Sequence, residues 1–427
     1  MPLITDLHLH SKYSRACSPR LDLPNIHAWA QLKGIDLLSA ADFTHPRWFA
    51  ELREQLEEVD TGVYELKKEF VRLAEDHVPV PEKCVRPVRF LMSTEVSLIY
   101  KKGGQVRKVH LLIMAPNIQT AAKINVELDK RGNITADGRP IIGMDSKELL
   151  KVLLDISSDI QIIPAHIWTP WFAIFGSKSG FDSIEECFEE LSDHICALET
   201  GLSSDPLMNW RLSQLDKYAL VSNSDAHSPE KMGREATIFD TDYNYPGILN
   251  ALRHDHSKIL GTIEFFPEEG KYHTDGLREE GLRLLPDETI SHDFVSPKTG
   301  HPITVGVLHR VNDLADRPMG TRPKNGRDYW HIIPLIEILS EIIGYGPKSK
   351  KVQAVYFELL TQLGPEFTIL KDLSIGEIAL VNEVVAEAID RMRRGAVIIQ
   401  AGFDGEFGVI KLFKENELKT RAQTILF

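Results

Sequence analysis

Cysteine is scarce in this chain of 427 residues: Cys17, Cys84, Cys187 and Cys196 are the only four, and no two stand as Cys-x-x-Cys. That excludes a disulfide framework and a cysteine-built zinc site as organising devices, and the thiols are expected to be reduced. Long apolar runs are lacking too. None reaches the roughly 18 residues that a membrane span needs, and the first ten residues lack the charged and apolar regions of a signal peptide. A cytoplasmic location without a membrane partner is therefore expected. Positive charge is in deficit, with a net charge of −13, which argues against indiscriminate polyanion binding but leaves room for a local basic groove. Candidates for one are "KKGGQVRK" (101–108), "RPKNGR" (322–327), "KSKK" (348–351) and Arg391, Arg393 and Arg394, each of which is more often simply a solvated turn or helix end.

What is present is an ordinary folded composition, 43% apolar and 26% charged, in a chain long enough for two or three domains. Up to about residue 265 short apolar runs alternate with helical periodicity. Strands are expected at 34–42, 88–100, 109–116, 160–166, 195–200 and 218–227, with helices at 23–34, 48–77, 146–157 and 183–193. Strand and helix in turn imply an α/β fold with a parallel sheet or barrel wrapped by helices. From 266 to 312 turn formers dominate and a small irregular module is expected. From 313 to 427 the chain reads as mainly helical, closing on short strands at 396–402 and 409–413.

The polar residues fall where such a fold puts chemistry. The chain opens on "DLHLH", Asp6 to His10, and strand alternation turns His8 and His10 to one face while Leu7 and Leu9 turn to the other. "SNSDAH" repeats the device with Asp225 and His227, and Asp42, His45, Glu95, His110, His166 and Glu199 lie at or beside the ends of other strand-like runs. Any one of these could be a capping or pairing residue. Together they exceed what one ion requires, and imidazole with carboxylate suits zinc, manganese or iron. Glu95 suits a bridge, because a carboxylate binds two ions at once. Paired metals activate water and clamp phosphate oxygens, so phosphoester hydrolysis would need no Ser, Cys or Lys nucleophile.

"DLHLHSKYS", "STEV", "PAHIW" and "SNSDAHSPEKMGREAT" resemble the metal motifs of the PHP (polymerase and histidinol phosphatase) family over roughly residues 1–265. The resemblance implies a distorted β/α barrel around a trinuclear centre, with His8, His10, Glu95, His110, His166, Asp225 and His227 as ligands. Where the family often has Thr-Asp-His, this chain has Ala41-Asp42-Phe43, so a histidine is missing unless His45 replaces it beside Asp42. Two or three divalent ions (Zn, Mn or Mg) are expected, with Asp225, Glu95 and Arg234 in catalytic roles. Arg234 would steady a phosphate, or else pair with Glu235.

"ADFTHPRW", "LETGLSSDP", "TVGVLHRVNDLADRP" and "GFDGEFGVIKLF" further resemble endonuclease Q and helicase-associated relatives, nearly end to end. This implies a DNA-repair endonuclease that cuts 5′ to a deaminated or damaged base, with DNA as its partner and a helicase or sliding clamp beside it. Glu199, Tyr329, Trp330, Phe403 and Phe407 are candidate substrate contacts. That family's zinc module has cysteines where this chain reads "GLREE" (276–280) and "SPKTG" (296–300). His273, His292 and His301 alone make a weak site, so structural zinc in 266–312 is not expected. Leu277, Leu282, Leu284, Leu285, Phe294 and Val295 are candidates for a small core in its place. The competing functions are a small-molecule phosphatase and a DNA-binding subunit with a relict site.

Overall fold

The apolar runs become strands whose two faces are both buried. In the computed structural model, which describes residues 2–421, β1 (Leu3–Asp6) and β2 (Leu37–Ser39) run parallel and are followed by a hairpin, β3 (Leu56–Asp60) and β4 (Val63–Leu66). β5 (Arg89–Lys102) and β6 (Gln105–Ala115) are long antiparallel partners, and β7 (Ile141–Ile142) and β8 (Gln161–Pro164) attach to them. β9 (Ala197–Glu199) and β10 (Ala219–Val221) pair in parallel, while β11 (Ala236–Phe239) and β12 (Ile259–Glu264) pair antiparallel, with β11 beside β1.

Hydrogen bonds outside the ladders complete a distorted barrel. The Ile167 N–H donates to Glu199 O at 3.1 Å beyond the end of β8, and the Ser222 N–H donates to Thr237 Oγ1 at 2.9 Å, linking β10 to β11. Along β5, β6 and β8, Phe90, Met92, Leu111, Ile113 and Ile162 join one core, whereas Leu91, Leu112, Met114 and Ile163 join a second with the helix Tyr245–Arg253. Burial on both faces is why these runs are continuous rather than alternating.

Two expectations change. The helical stretch 48–77 is two helices, Pro46–Gln55 and Lys68–His77, separated by the β3–β4 hairpin. Val59, Val63 and Tyr64 suit a pleated surface, and Gly62, at φ 71°, supplies the turn between them. The sheet is mixed rather than parallel. Lys102 and Gln105 face each other across Gly103 and Gly104, both left-handed at φ 59° and 77°, as a two-residue hairpin turn requires. The basic run 101–108 is therefore a hairpin tip. Other basic candidates are engaged within the fold: Arg391 with Glu387 and Glu417, Arg394 with Asp390, Arg322 with Asp328, and Arg393 with the carbonyls of Ile369, Leu370 and Leu373.

After β12 come β13 (Asp275–Leu277), β14 (Leu282–Leu284) and a short helix, Pro286–Ser291. A polar clasp holds this segment, not an apolar core: Leu285, Phe294 and Val295 are exposed, and of the six candidates only Leu284 is buried. Asp275, fully buried, accepts from the Gly306 N–H at 2.7 Å and from His309 Nδ1 at 2.5 Å. Gly276 and Thr304 exchange backbone hydrogen bonds beside it, and Glu280 receives the hydroxyls of Ser296 and Thr299. His292 and His301 lie far enough out to be solvated, and among the described residues no group of three metal-binding side chains gathers in this segment.

β15 (Asp328–His331) then adds a parallel strand to the edge of the large sheet beside β12. The helices Leu335–Ile343, Lys350–Leu363 and Glu383–Arg393 follow, and β16 (Ile398–Gln400) and β17 (Val409–Lys411) form a last hairpin. A buried ion pair, Lys33 to Glu366 at 2.7 Å, ties the helical region to the barrel helix Leu23–Lys33, and Tyr356 Oη and the Leu335 N–H also donate to Glu366.

Two expectations follow for stability. Breaking a buried pair strands its partner at about 3–5 kcal/mol, so Asp275→Ala should open the module and speed limited proteolysis between 270 and 302, while a chelator should leave the wild-type cutting pattern unchanged. Glu235 and Glu264 are fully buried, each keeps one oxygen without a partner, and burial, joined by repulsion from Glu264 at Glu235 and from Asp205 at Glu264, pushes both carboxyls well above their ordinary range. A raised value means that the folded state holds the extra proton, so stability present below the usual carboxyl pKa is lost as pH rises through the raised values. Glu264→Gln should flatten that alkaline loss in thermal melts recorded from pH 5 to 9.

Candidate metal centre and the cleft beside it

The two histidine-bearing motifs lie side by side. Past the end of β1, Leu9 bridges to Ala226, the Asp225 N–H donates to His8 O at 3.0 Å, and the His10 N–H donates to Ala226 O at 3.3 Å. Leu7 and Leu9 face the cores, and His8, His10 and Asp225 face one another.

Four imidazoles point one nitrogen inward and have the other held. His8 Nδ1 contacts both oxygens of Glu199 at 3.0 Å, leaving Nε2 3.6 Å from Glu95 Oε2 and 3.8 Å from Asp225 Oδ1. His10 Nδ1 is held by Asp42 Oδ1 at 3.1 Å, leaving Nε2 3.0 Å from Asp225 Oδ1 and 3.3 Å from Glu95 Oε2. His110 Nε2 meets Ser97 Oγ at 2.7 Å, with Nδ1 at 2.6 Å from Glu95 Oε1; His166 Nδ1 meets Thr169 Oγ1 at 3.1 Å, with Nε2 at 3.1 Å from the same Glu95 oxygen. Pinning the outer nitrogen fixes the tautomer and aims the inner lone pair, as metal-binding histidines require.

Glu95 is common to both groups that can hold an ion: His8, His10, Glu95 and Asp225 on one side, and Glu95, His110 and His166 on the other. Burial alone would raise its pKa, yet His110, Arg139 and His8 hold it well below the usual carboxylate range. Burial would lower His8 and His10, but Glu199 with Glu95, and Asp42 with Asp225, carry them well above the ordinary imidazole value. The donors fit a metal on a direct test: His8 Nε2, His10 Nε2 and Asp225 Oδ1 are buried, converge, and have no hydrogen-bond partner. Backbone strain clusters here as well. Asp42, His166 and Asp225 hold φ of 29°, 30° and 46°, a conformation costing about 1–3 kcal/mol each in a residue other than glycine.

Other predicted residues take different places. Asp42 stays behind His10, receiving the Ser11 N–H at 2.6 Å and Ser14 Oγ at 2.8 Å. His45 stacks on Tyr13, with centroids 4.4 Å apart, and its imidazole belongs to neither ligand group. His227 packs edge-on against His10 and hydrogen-bonds Asp225 O at 2.8 Å. Arg234 lines the cleft at the centre and forms no ion pair with Glu235 among the described residues; it donates to Ser224 O at 2.9 Å and Asp225 O at 3.4 Å, bracing the turn that carries Asp225.

Glu199 cannot meet a substrate, since its buried carboxylate is shared among His8, the His166 N–H and Asn223 Nδ2. Tyr329 packs on Trp210, Trp330 lies under Lys371, and Phe403 is buried in the module beneath Arg283, so none of the three lines the cleft at the centre.

That cleft, ≈ 590 Å³, runs from His166 and Asp225 past Trp171, Tyr272 and Phe407, with Lys231, Arg234 and Lys271 along it. Trp171 and Tyr272 meet edge to face; neither was singled out in the sequence, although Trp171 closely follows "PAHIW". Arg139, on a loop before β7, was missed altogether; its Nη1 donates to Glu95 Oε2 at 3.0 Å.

Comparison with known proteins gives this geometry relatives. Residues 210–256 match the family described as PHP-associated, and residues 334–396 match the MJ0043 C-terminal domain. The uncharacterized protein MJ0043 of Methanocaldococcus jannaschii is 34% identical over 260 residues, 59% of this chain and 32% of that protein, so the chain spans about a third of that relative. The crystal structure of the lesion-specific endonuclease PfuEndoQ from Pyrococcus furiosus superposes with a TM-score of 0.83 at 30% identity, covering 100% of both chains. Endonuclease Q in complex with a 27-mer duplex carrying an abasic lesion at its active site gives the same TM-score of 0.83, identity of 30% and full coverage. With sequence and fold shared from end to end, and a candidate ligand set gathered around the Glu95 carboxylate, this chain belongs to the endonuclease Q family, of the PHP type.

Proposed function

We propose that the chain is a divalent-metal-dependent DNA endonuclease that hydrolyses the phosphodiester 5′ to a deaminated or otherwise damaged base. The observation that carries this reading is the shared position of Glu95 between two ligand groups, in the first of which His8 Nε2, His10 Nε2 and Asp225 Oδ1 are buried without a hydrogen-bond partner. His8, His10, Glu95 and Asp225 would hold one ion, and Glu95, His110 and His166 the other. When bound, such ions lower the pKa of water and stabilise charge on phosphate oxygens.

The chain's own residues do the rest. Glu199, Asp42, Ser97 and Thr169 orient the imidazoles, and Arg234 fixes the Asp225 turn. An enzyme that reads a base in a duplex must extrude it into a pocket and hold it against aromatic or apolar faces. Trp171, Tyr272 and Phe407 offer such faces beside the centre, and Lys231 and Lys271 supply charge for the backbone. We assign the hydrolytic centre to residues 1–265, while 266–312 and 313–427 complete the cleft, contributing Lys271, Tyr272 and Phe407 among others. Aromatic faces set beside lysines along this cleft favour a nucleic acid over a small phosphomonoester.

End-labelled duplexes carrying uracil, hypoxanthine, an abasic site or no lesion test the proposal. Cutting on the 5′ side of a lesion, dependent on Mg²⁺ or Mn²⁺, is expected; hydrolysis confined to small phosphomonoesters would overturn it. Asp225→Asn should abolish cleavage while leaving DNA retention in gel shifts largely intact. Glu199→Gln, which removes the charge behind His8, should weaken Mn²⁺ binding by about 10–100-fold in calorimetry.

A further inference from the structure

One guanidinium stands at the candidate metal centre with most of its donors unused. Arg139 Nη1 donates to Glu95 Oε2, the oxygen that also faces His8 Nε2 and His10 Nε2. Among the described residues the Arg139 guanidinium has no other hydrogen bond, and its side chain is 24% exposed although it touches a carboxylate that is 0% exposed. An arginine carries five N–H groups. One is spent on Glu95, and the others have no protein partner among the described residues in a side chain that is partly exposed.

The loop that delivers Arg139 is built for this position. The Gly138 N–H donates to Tyr13 O at 3.1 Å, its carbonyl accepts Thr44 Oγ1 at 3.1 Å, and Asp137 Oδ1 receives the Arg139 N–H at 3.0 Å. A Cβ added at Gly138 would lie 2.3 Å from Asp42 Oδ2 and 2.3 Å from Ser14 Oγ. The carboxylate that orients His10 is thus also the floor beneath the arginine loop. Ligand and guanidinium are placed by the same residue. A solvated ion pair would need no such support, because surface pairs contribute little and tolerate loose geometry.

Resting on the phosphodiesterase reading of this site, we propose that Arg139 contacts the substrate: Glu95 holds the guanidinium by one N–H, and its open edge receives a non-bridging oxygen of the scissile phosphate. A planar fork matches phosphate oxygens as a lysine ammonium does not. A fixed cation there opposes the charge that grows on the phosphate as it is attacked. Arg139 stays protonated throughout and transfers no proton.

The test uses the full chain loaded with Mn²⁺, with Arg139→Gln and Arg139→Lys beside the wild type, each checked for its Mn²⁺ content and thermal midpoint. In calorimetric titration with inorganic phosphate, Arg139→Gln should bind about tenfold more weakly or worse, with Mn²⁺ content unchanged. Arg139→Lys should recover only part of the affinity, and cleavage of an abasic duplex by Arg139→Gln should fall about 100-fold, in kcat rather than KM. Phosphate affinity within twofold of wild type in Arg139→Gln, full recovery in Arg139→Lys, or loss of Mn²⁺ from Arg139→Gln would each overturn the assignment. If Arg139→Gln does not fold, Arg139→Lys decides alone, since wild-type phosphate affinity in that variant refutes the fork. Failure of the wild type to cleave any duplex would sink the endonuclease reading instead, and the phosphate titration would still judge Arg139.

Discussion

Burying the Glu95 carboxylate in the middle of β5 demands compensation from every direction, and the architecture of the site is that compensation. An ionised carboxylate removed from water costs several kcal/mol unless paired, and here imidazoles approach from the β1 end, from β6 and from beyond β8, with a guanidinium from the loop before β7. Each imidazole is itself held by a group behind it, so the constraint spreads outward to Glu199, Asp42, Ser97 and Thr169. The left-handed backbone at Asp42, His166 and Asp225 is sustained by the same network.

Much of the centre was legible in the sequence because strand alternation is rigid. His8 and His10 had to share a face, and the Asp225–His227 motif did pair with them. The division between ligand and support was not legible. A carboxylate near a strand end reads the same whether it faces a metal or the back of a histidine, and only distance separates Asp225 from Asp42 or Glu199. Arg139 gave no signal at all, since a loop arginine becomes meaningful only when folding brings it to Glu95.

The fold shows the same boundary. Each apolar run read as a strand does hold one, but β3, β4, β11, β12 and β15 went unmarked, and strand direction depends on connections. Gly103-Gly104 turned an expected parallel neighbour into an antiparallel one, and the acidic and leucine spacing of 48–77 imitated a helix across a hairpin. In the module, the apolar residues drew attention while Asp275 and His309, distant in sequence, carried the closure.

That closure has a consequence for how the protein matures. A segment fastened by a carboxylate, an imidazole and a backbone amide is complete as soon as the chain is made, whereas a segment fastened by an ion must wait for supply. Here the closure of the segment that helps shape the cleft does not wait for a metal, whereas the buried, unpartnered donors of the centre itself do.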